Sequence, residues 1–123
     1  MASILGIDHI QLSIPPGCEP QGRHFYGEVL GLREVPKPLE LAGRGGAWFD
    51  CGAFQLHLGV EADFSPSKKA HAALRVDDLD AYLARLTSAN CLVDLSQPQL
   101  PGIKRAFTKD PFGNRIELMQ ALA

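Results

Sequence analysis

The 123-residue sequence has no basic stretch, no long apolar run and few cysteines, and each of these gaps excludes a class of protein. Its 12 Lys and Arg against 14 Asp and Glu give a net charge of -2, so it lacks the basic surface that binds nucleic acid. No run approaches the roughly 18 apolar residues of a membrane span. The first 14 residues have neither a positively charged start nor a long apolar core, unlike a secretory signal peptide. We therefore expect a cytoplasmic protein that binds neither nucleic acid nor membranes.

The three cysteines are too few and too widely spaced for a disulfide framework or a zinc knuckle. Cys18, Cys51 and Cys91 are odd in number and form no close pair, which indicates reduced thiols in a reducing compartment. With 46% hydrophobic residues, a chain of this length can bury one core but not two ordinary ones. The sequence therefore predicts a single domain over residues 1–123.

What the sequence does contain is an internal repeat. Asp50 is followed seven residues later by His57, and Asp110 is followed seven residues later by Glu117, in each case across a short turn that contains glycine. Such a period fixes the architecture before any local propensity does. The repeat extends backwards, because a histidine precedes the two later residues by 48 and 46 positions; these histidines are His9 and His71.

Each half of the repeat shows the same order of secondary-structure patterns. Alternating polar and apolar residues predict strands over 7–14 and 71–76, and helical spacing of apolar residues follows each strand. We predict an α+β fold of two tandem βαβββ modules forming a curved mixed sheet. Module 1 spans about 4–60, the linker 61–70 and module 2 about 71–121.

The less regular parts of the pattern give weaker expectations. Residues 32–41 predict a second strand that Pro36 and Pro38 confine to a sheet edge. Residues 91–95 predict the equivalent strand in the second half. Gly31 and Asn90 are placed to end the two helices.

Strand periodicity also predicts which side chains share a surface. Residues two apart lie on the same face of a strand, so each module presents one aliphatic face and one polar face that resembles the lining of a wet cleft. Imidazole and carboxylate are common ligands of divalent first-row metals, and although a single histidine on a strand is more often only hydrogen-bonded, four donors at matching places favour a metal site. The predicted ligands are His9, His57, His71 and Glu117. The predicted substrate pocket contains Gln11, Trp48, Gln55, Arg75, Arg105, Phe107, Arg115 and Met119.

These features together resemble the vicinal oxygen chelate superfamily, which includes glyoxalase I, methylmalonyl-CoA epimerase, fosfomycin resistance thiol transferases, extradiol dioxygenases and bleomycin resistance proteins. The resemblance covers nearly the whole chain. It is carried by Asp8-His9-Ile10, by the segment 25–32 (Phe-Tyr-Gly-Glu-Val-Leu-Gly-Leu), and by Asp-Pro-Phe-Gly-Asn at 110–114 with Ile116-Glu117-Leu118 after it.

The resemblance implies one divalent metal ion (Zn, Ni, Co, Mn or Fe(II)) and assigns ligands by position. His9 matches the first ligand, His71 the third and Glu117 the fourth, and Glu117 also matches the catalytic group that moves a proton. His57 matches the second ligand, where glyoxalase I carries Glu and the epimerase carries Gln. Without His57 the set resembles the two-histidine, one-carboxylate set of the dioxygenases and thiol transferases, with His57 as a fourth ligand or a nearby acid-base group.

Three functions follow from this resemblance. The first is a glyoxalase-like metal-dependent lyase, isomerase or thiol transferase acting on a small oxygen-rich metabolite or xenobiotic, in some cases anionic or thiol-conjugated. The second is an extradiol-type dioxygenase, which the short chain disfavours. The third is a non-enzymatic drug- or metabolite-binding resistance protein, which the presence of all four ligand-type residues disfavours. The resemblance also implies a homodimer.

Overall fold

The computed structural model describes residues 1–123. The chain divides into two compact units, Met1–Phe64 and Ser65–Ala123. Each unit contains one mixed sheet, of four strands in the first and three in the second. This confirms the α+β class with mixed sheets.

The first unit follows the order predicted for a βαβββ module. Strand β1 is parallel to β4, and the sheet order is β1-β4-β3-β2, so β2 is an edge strand. A 3₁₀ helix, Leu39–Arg44, connects β2 to β3. The strands are β1 (His9–Ile14), β2 (Arg33–Val35), β3 (Ala47–Asp50) and β4 (Gln55–Val60).

The helix of this unit has an unusual continuation. Helix α1, Glu19–Gly22, runs directly into a π-helical segment, Arg23–Val29. The amide of Leu30 bonds to the carbonyl of Phe25 at 2.9 Å, a spacing of five residues. As predicted, Gly31 ends the segment, and its φ of 77° is one that glycine adopts without strain.

Strand β2 is shorter than the predicted 32–41. It ends at Val35, because Pro36 has no amide hydrogen to donate to a neighbouring strand. Its position at the sheet edge confirms the expectation drawn from the prolines.

The second unit is built around a central strand. Strand β7 (Arg115–Ala121) lies between β5 (His71–Arg75), which is parallel to it, and β6 (Ile103–Lys109), which is antiparallel. Helix α2, Leu79–Ser88, is capped by Asp78, whose carboxylate accepts from the amide of Ala81 at 3.1 Å. The side chain of Gln120 on β7 accepts from the first helical amide, Leu79, at 2.8 Å. Asn90 ends the helix with a φ of 58°.

The prediction of a strand over 91–95 is wrong. Only Asp94 pairs, and it exchanges both backbone hydrogen bonds with Phe107 on β6 at 2.8 and 2.9 Å. The carboxylate of Asp94 then accepts from the amide of Ser96 at 2.8 Å. The bridge is therefore isolated, and the turn that the Asp94 side chain forms with Ser96 follows it directly.

The remaining general features are simple. The three cysteines are free thiols. None of the helices combines the length and apolar character that a membrane crossing requires.

Candidate functional site

In the second unit, the strand register places three rows of side chains on one face of the sheet. Directly paired residues on neighbouring strands point to the same side. Glu117 is therefore at the centre of this face, and cationic side chains occupy the rows on both sides of it. The rows are His71, Arg115 and Lys109; then Ala73, Glu117 and Phe107; then Arg75, Met119 and Arg105.

Glu117 is a buried carboxylate with a different partner at each oxygen. Only 4% of the residue is exposed. Its Oε1 lies 3.0 Å from Nε2 of His71, and its Oε2 accepts from Nη1 of Arg105 at 3.2 Å. The arginine is itself fixed, because its Nε and Nη2 donate to the carbonyl of Pro98 at 3.1 and 2.8 Å. The carboxylate is thus held in one orientation by two partners.

The ring of Phe107 contacts two arginines and the histidine of this face. Its buried ring lies 4.0 Å from the guanidinium carbon of Arg115 and 5.5 Å from that of Arg105. The ring of His71 meets it edge to face at 5.2 Å. Guanidinium groups at such distances are attracted to the ring, so one aromatic side chain orders both arginines beside Glu117.

The hydrogen bonds of His71 define which nitrogen is available to a metal. Nδ1 lies 3.1 Å from the carbonyl oxygen of Lys69. Because a carbonyl only accepts, Nδ1 carries a hydrogen. Nε2 faces the Glu117 carboxylate, which also only accepts, so it bonds there through a hydrogen of its own, whose place a metal ion would take. A metal-bound histidine commonly donates its other ring nitrogen in this way.

In the first unit, the corresponding face carries a stack of three rings. Trp48 and His57 pair across β3 and β4, and their rings are parallel within 1° with centroids 3.8 Å apart. The ring of His9 covers the other side of His57 at 4.2 Å and 16°. His57 is therefore buried, with 4% of the residue exposed.

Two of the three rings, those of His9 and His57, are hydrogen-bonded to polar neighbours. Nδ1 of His9 donates to the carboxylate of Asp8 at 2.8 Å, which leaves Nε2 as the unprotonated nitrogen of the neutral ring. Nε2 of His57 instead lies 2.9 Å from Oε1 of Gln55, which it donates to. Burial of the ring, together with the neighbouring His9, lowers the pKa of His57 below its ordinary value of 6.5. Both effects favour the neutral form of His57.

Gln11, predicted to line the pocket, lies over a glycine. Its Nε2 is 2.5 Å from the position that a Cβ on Gly59 would occupy. Gly59 therefore provides the space into which the Gln11 amide folds.

Three of the four predicted ligands fit a divalent metal. His9 and His71 each have Nδ1 engaged by an acceptor and Nε2 available. The 3.0 Å between His71 Nε2 and Glu117 Oε1 is close to the separation of about 3.0 Å between two ligands at right angles with bonds of about 2.1 Å. His57 differs from both, because Gln55 engages its Nε2 and the remaining nitrogen, Nδ1, belongs to a buried ring. Neither unit by itself contains three or more His, Cys, Asp or Glu side chains grouped to hold an ion.

The structure adds supporting groups that the sequence interpretation did not predict. Asp8 fixes His9, the carbonyl of Lys69 fixes His71, and the carbonyl of Pro98 fixes Arg105. Asp8 was detectable because an acid beside a candidate ligand is a typical orienting partner. The two carbonyls carry no side-chain pattern, so the sequence alone does not reveal them.

Comparison with known proteins agrees with this architecture. The sequence profile of the Glyoxalase/Bleomycin resistance protein/Dioxygenase superfamily matches residues 6–118. This chain belongs to that superfamily. A glyoxalase family protein from Bacillus anthracis is 45% identical, with a TM-score of 0.93 over 98% of both chains.

More distant members of the superfamily share the fold. Lactoylglutathione lyase from Agrobacterium tumefaciens is 20% identical, with a TM-score of 0.74 over 97% of this chain and 96% of that one. The fosfomycin resistance protein FosX from Listeria monocytogenes is 15% identical, with a TM-score of 0.78 over 97% and 95%. At these identities the likeness shows the fold alone. No curated protein matches the chain.

Proposed function

We propose that this chain is a glyoxalase-like enzyme of the lyase, isomerase or thiol transferase type that depends on one divalent metal ion. His9, His71 and Glu117 would hold the ion, and His57 is the fourth candidate. The observation that carries the proposal is the buried Glu117 carboxylate, whose Oε1 lies 3.0 Å from the metal-competent nitrogen of His71. A buried acid paired with an oriented histidine is the chemistry that first-row divalent ions select.

The ion would supply Lewis-acid polarisation of adjacent substrate oxygens. The protein's own groups would do the rest. Glu117 would act as the general base that takes up and returns a proton. Arg105 would hold Oε2, so that the two oxygens of the carboxylate have different tasks.

The cationic rows around Glu117 favour an anionic substrate. Arg75 and Arg105 are on one side of the carboxylate along the sheet, and Arg115 and Lys109 are on the other. Arg75 and Lys109 are exposed. A small acid, or a thiol conjugate that carries carboxylates, would meet positive charge on either side of Glu117. Two proteins that share the fold are a lactoylglutathione lyase and a fosfomycin resistance protein, both named for small molecules.

The metal assignment is tested by titrating chelator-treated protein with Co²⁺ and following the visible absorption of the bound ion. We expect binding by the wild type, and a loss of affinity of at least about 100-fold for Glu117→Gln and for His71→Ala. His24→Ala is the matched control, because His24 pairs with Glu28 on an exposed helix surface and should bind as the wild type does. Wild-type affinity in the Glu117→Gln variant would contradict the assignment.

The reaction class is tested with the loaded enzyme. Isomerisation of a hemithioacetal, or addition of a thiol to an epoxide, supports the proposed class. Oxygen consumption with catechols would indicate the dioxygenase, which uses a similar two-histidine, one-carboxylate set. A protein that binds ligand but no metal would indicate the resistance-type binder. Glu117→Gln should remove activity without changing the far-ultraviolet circular dichroism spectrum.

We also propose a homodimer, since members of the superfamily often dimerise. Sedimentation equilibrium should give twice the chain mass of 13.3 kDa. A single-chain mass at micromolar concentration would exclude a stable dimer.

A further inference from the structure

The three-ring stack of the first unit is not accounted for by metal ligation. His57 occupies the position that the internal repeat pairs with Glu117. Yet both faces of its ring are covered, by Trp48 at 3.8 Å and by His9 at 4.2 Å, and its Nε2 is bonded to Gln55.

The geometry of the two imidazoles excludes their binding one ion together in this arrangement. An ion bound to an imidazole lies close to the plane of the ring, about 2.1 Å from the nitrogen. The rings of His9 and His57 are inclined by only 16°, with centroids 4.2 Å apart. An ion bound to both rings would have to lie where the two ring planes meet. Planes this close to parallel meet on the order of 10 Å from the rings, far beyond a bond of about 2.1 Å. Only one of the two rings can therefore be a ligand here.

The exposure of the two rings identifies which one that is. His9 donates from Nδ1 to Asp8 and keeps Nε2 available, and its side chain is 44% exposed. Nε2 of His57 donates to Gln55, and the nitrogen that remains, Nδ1, belongs to a ring that is buried and covered by Trp48 and His9. His9 is thus the accessible metal ligand, and its ring stacks on the buried ring of His57.

We infer that Trp48 and His57 are positioning residues, forming a fixed aromatic base that sets the orientation of the His9 ring. This rests on the proposed function only in taking His9 as a ligand. Stacking of rings at these distances contributes about 0.5–1.5 kcal/mol per pair beyond buried area. Trp48 belongs to a β-strand and is parallel to His57 within 1°, so the base is anchored in the sheet.

The inference separates two roles for His57 that substitution can distinguish. His57→Phe keeps a flat ring and removes both nitrogens, whereas His57→Ala removes the ring. If His57 is a base for stacking, His57→Phe should bind Co²⁺ within about 3-fold of the wild type, and His57→Ala should lose about 10- to 100-fold, the range seen when ligand-orienting partners are removed. If His57 is a ligand, His57→Phe should lose as much affinity as His9→Ala.

A second measurement needs no metal. In ¹³C-histidine-labelled protein treated with chelator, the ring protons of His9 should be shifted upfield because they lie over another ring. The shift should persist in His57→Phe and disappear in His57→Ala. Unchanged His9 resonances in His57→Ala, or ligand-like loss of Co²⁺ affinity in His57→Phe, would overturn the inference. Failure of the wild type to bind Co²⁺ would instead refute the proposed function, while the His9 resonances would still decide the role of the stack.

Discussion

The pairing of Arg105 with Glu117 gives a prediction whose size can be worked from the structure. Arg105→Met removes the charge while keeping much of the side-chain volume. It leaves the Glu117 carboxylate, with 6% of its side chain exposed, without one of its two partners. It also removes the two bonds from the guanidinium to the carbonyl of Pro98.

Breaking a buried ion pair costs about 3–5 kcal/mol when the remaining charge is uncompensated. Here His71 still pairs with Glu117 at 3.0 Å, and the Arg105 side chain is 16% exposed. Both facts reduce the cost, so we expect Arg105→Met to lower the free energy of unfolding by about 2–3 kcal/mol. The double variant Arg105→Met/Glu117→Gln should recover at least about 1 kcal/mol of that loss, because the unpaired charge is gone.

The assay is urea denaturation at pH 7 with a chelator present, followed by circular dichroism. Arg75→Met is the matched control, because Arg75 is an exposed arginine on the same face and should change stability by less than about 0.5 kcal/mol. Equal effects of Arg105→Met and Arg75→Met would refute the view that Arg105 holds a buried carboxylate. So would a double variant that is no more stable than Arg105→Met.

Three further predictions concern the scaffold and are read from the same denaturation curves. Gly46→Ala should lower stability by more than about 3 kcal/mol or prevent folding, because a Cβ would lie 2.0 Å from the carbonyl of Leu58. Gly52→Ala, with a similar φ of 84° but open space, should cost only about 1–2 kcal/mol; equal losses would contradict this account. Thr108→Val should be neutral or stabilising, because the buried hydroxyl has no hydrogen-bond partner, and a loss above about 1 kcal/mol would show that the hydroxyl is satisfied. Asp78→Ala should cost about 1 kcal/mol through loss of the bond to the Ala81 amide, and an unchanged midpoint would remove that cap from the account.

Local periodicity was enough to predict most of the fold. The alternation predicted strands over 7–14 and 71–76, which the structure has at His9–Ile14 and His71–Arg75. It also predicted which residues share a face with each histidine, and the glycine turns predicted the hairpins. It failed at 91–95, where the backbone makes a single bridge at Asp94 and the Asp94 side chain then bonds to the Ser96 amide. It also did not distinguish an α-helix from the π-helical segment at 23–29, since both bury Phe25 and Tyr26.

The sequence proposes the residues of the candidate site but not the orientation of their side chains. The repeat identified His9, His57, His71 and Glu117 as equivalent positions. Which nitrogen of each histidine is available depends on Asp8, Gln55 and the Lys69 carbonyl, and those contacts arise only once side-chain rotamers are fixed. The stacking of His57 on Trp48 likewise follows from the strand register between β3 and β4, which no single segment encodes.

The central claim, that this chain is a metal-dependent enzyme, is tested most directly by elemental analysis of protein purified without added metal and without affinity tags that bind metal. We predict about one first-row divalent ion per chain, and loss of that ion in the Glu117→Gln variant. A wild-type protein that is metal-free as isolated and takes up no Zn²⁺, Ni²⁺, Co²⁺, Mn²⁺ or Fe²⁺ on incubation would contradict the claim.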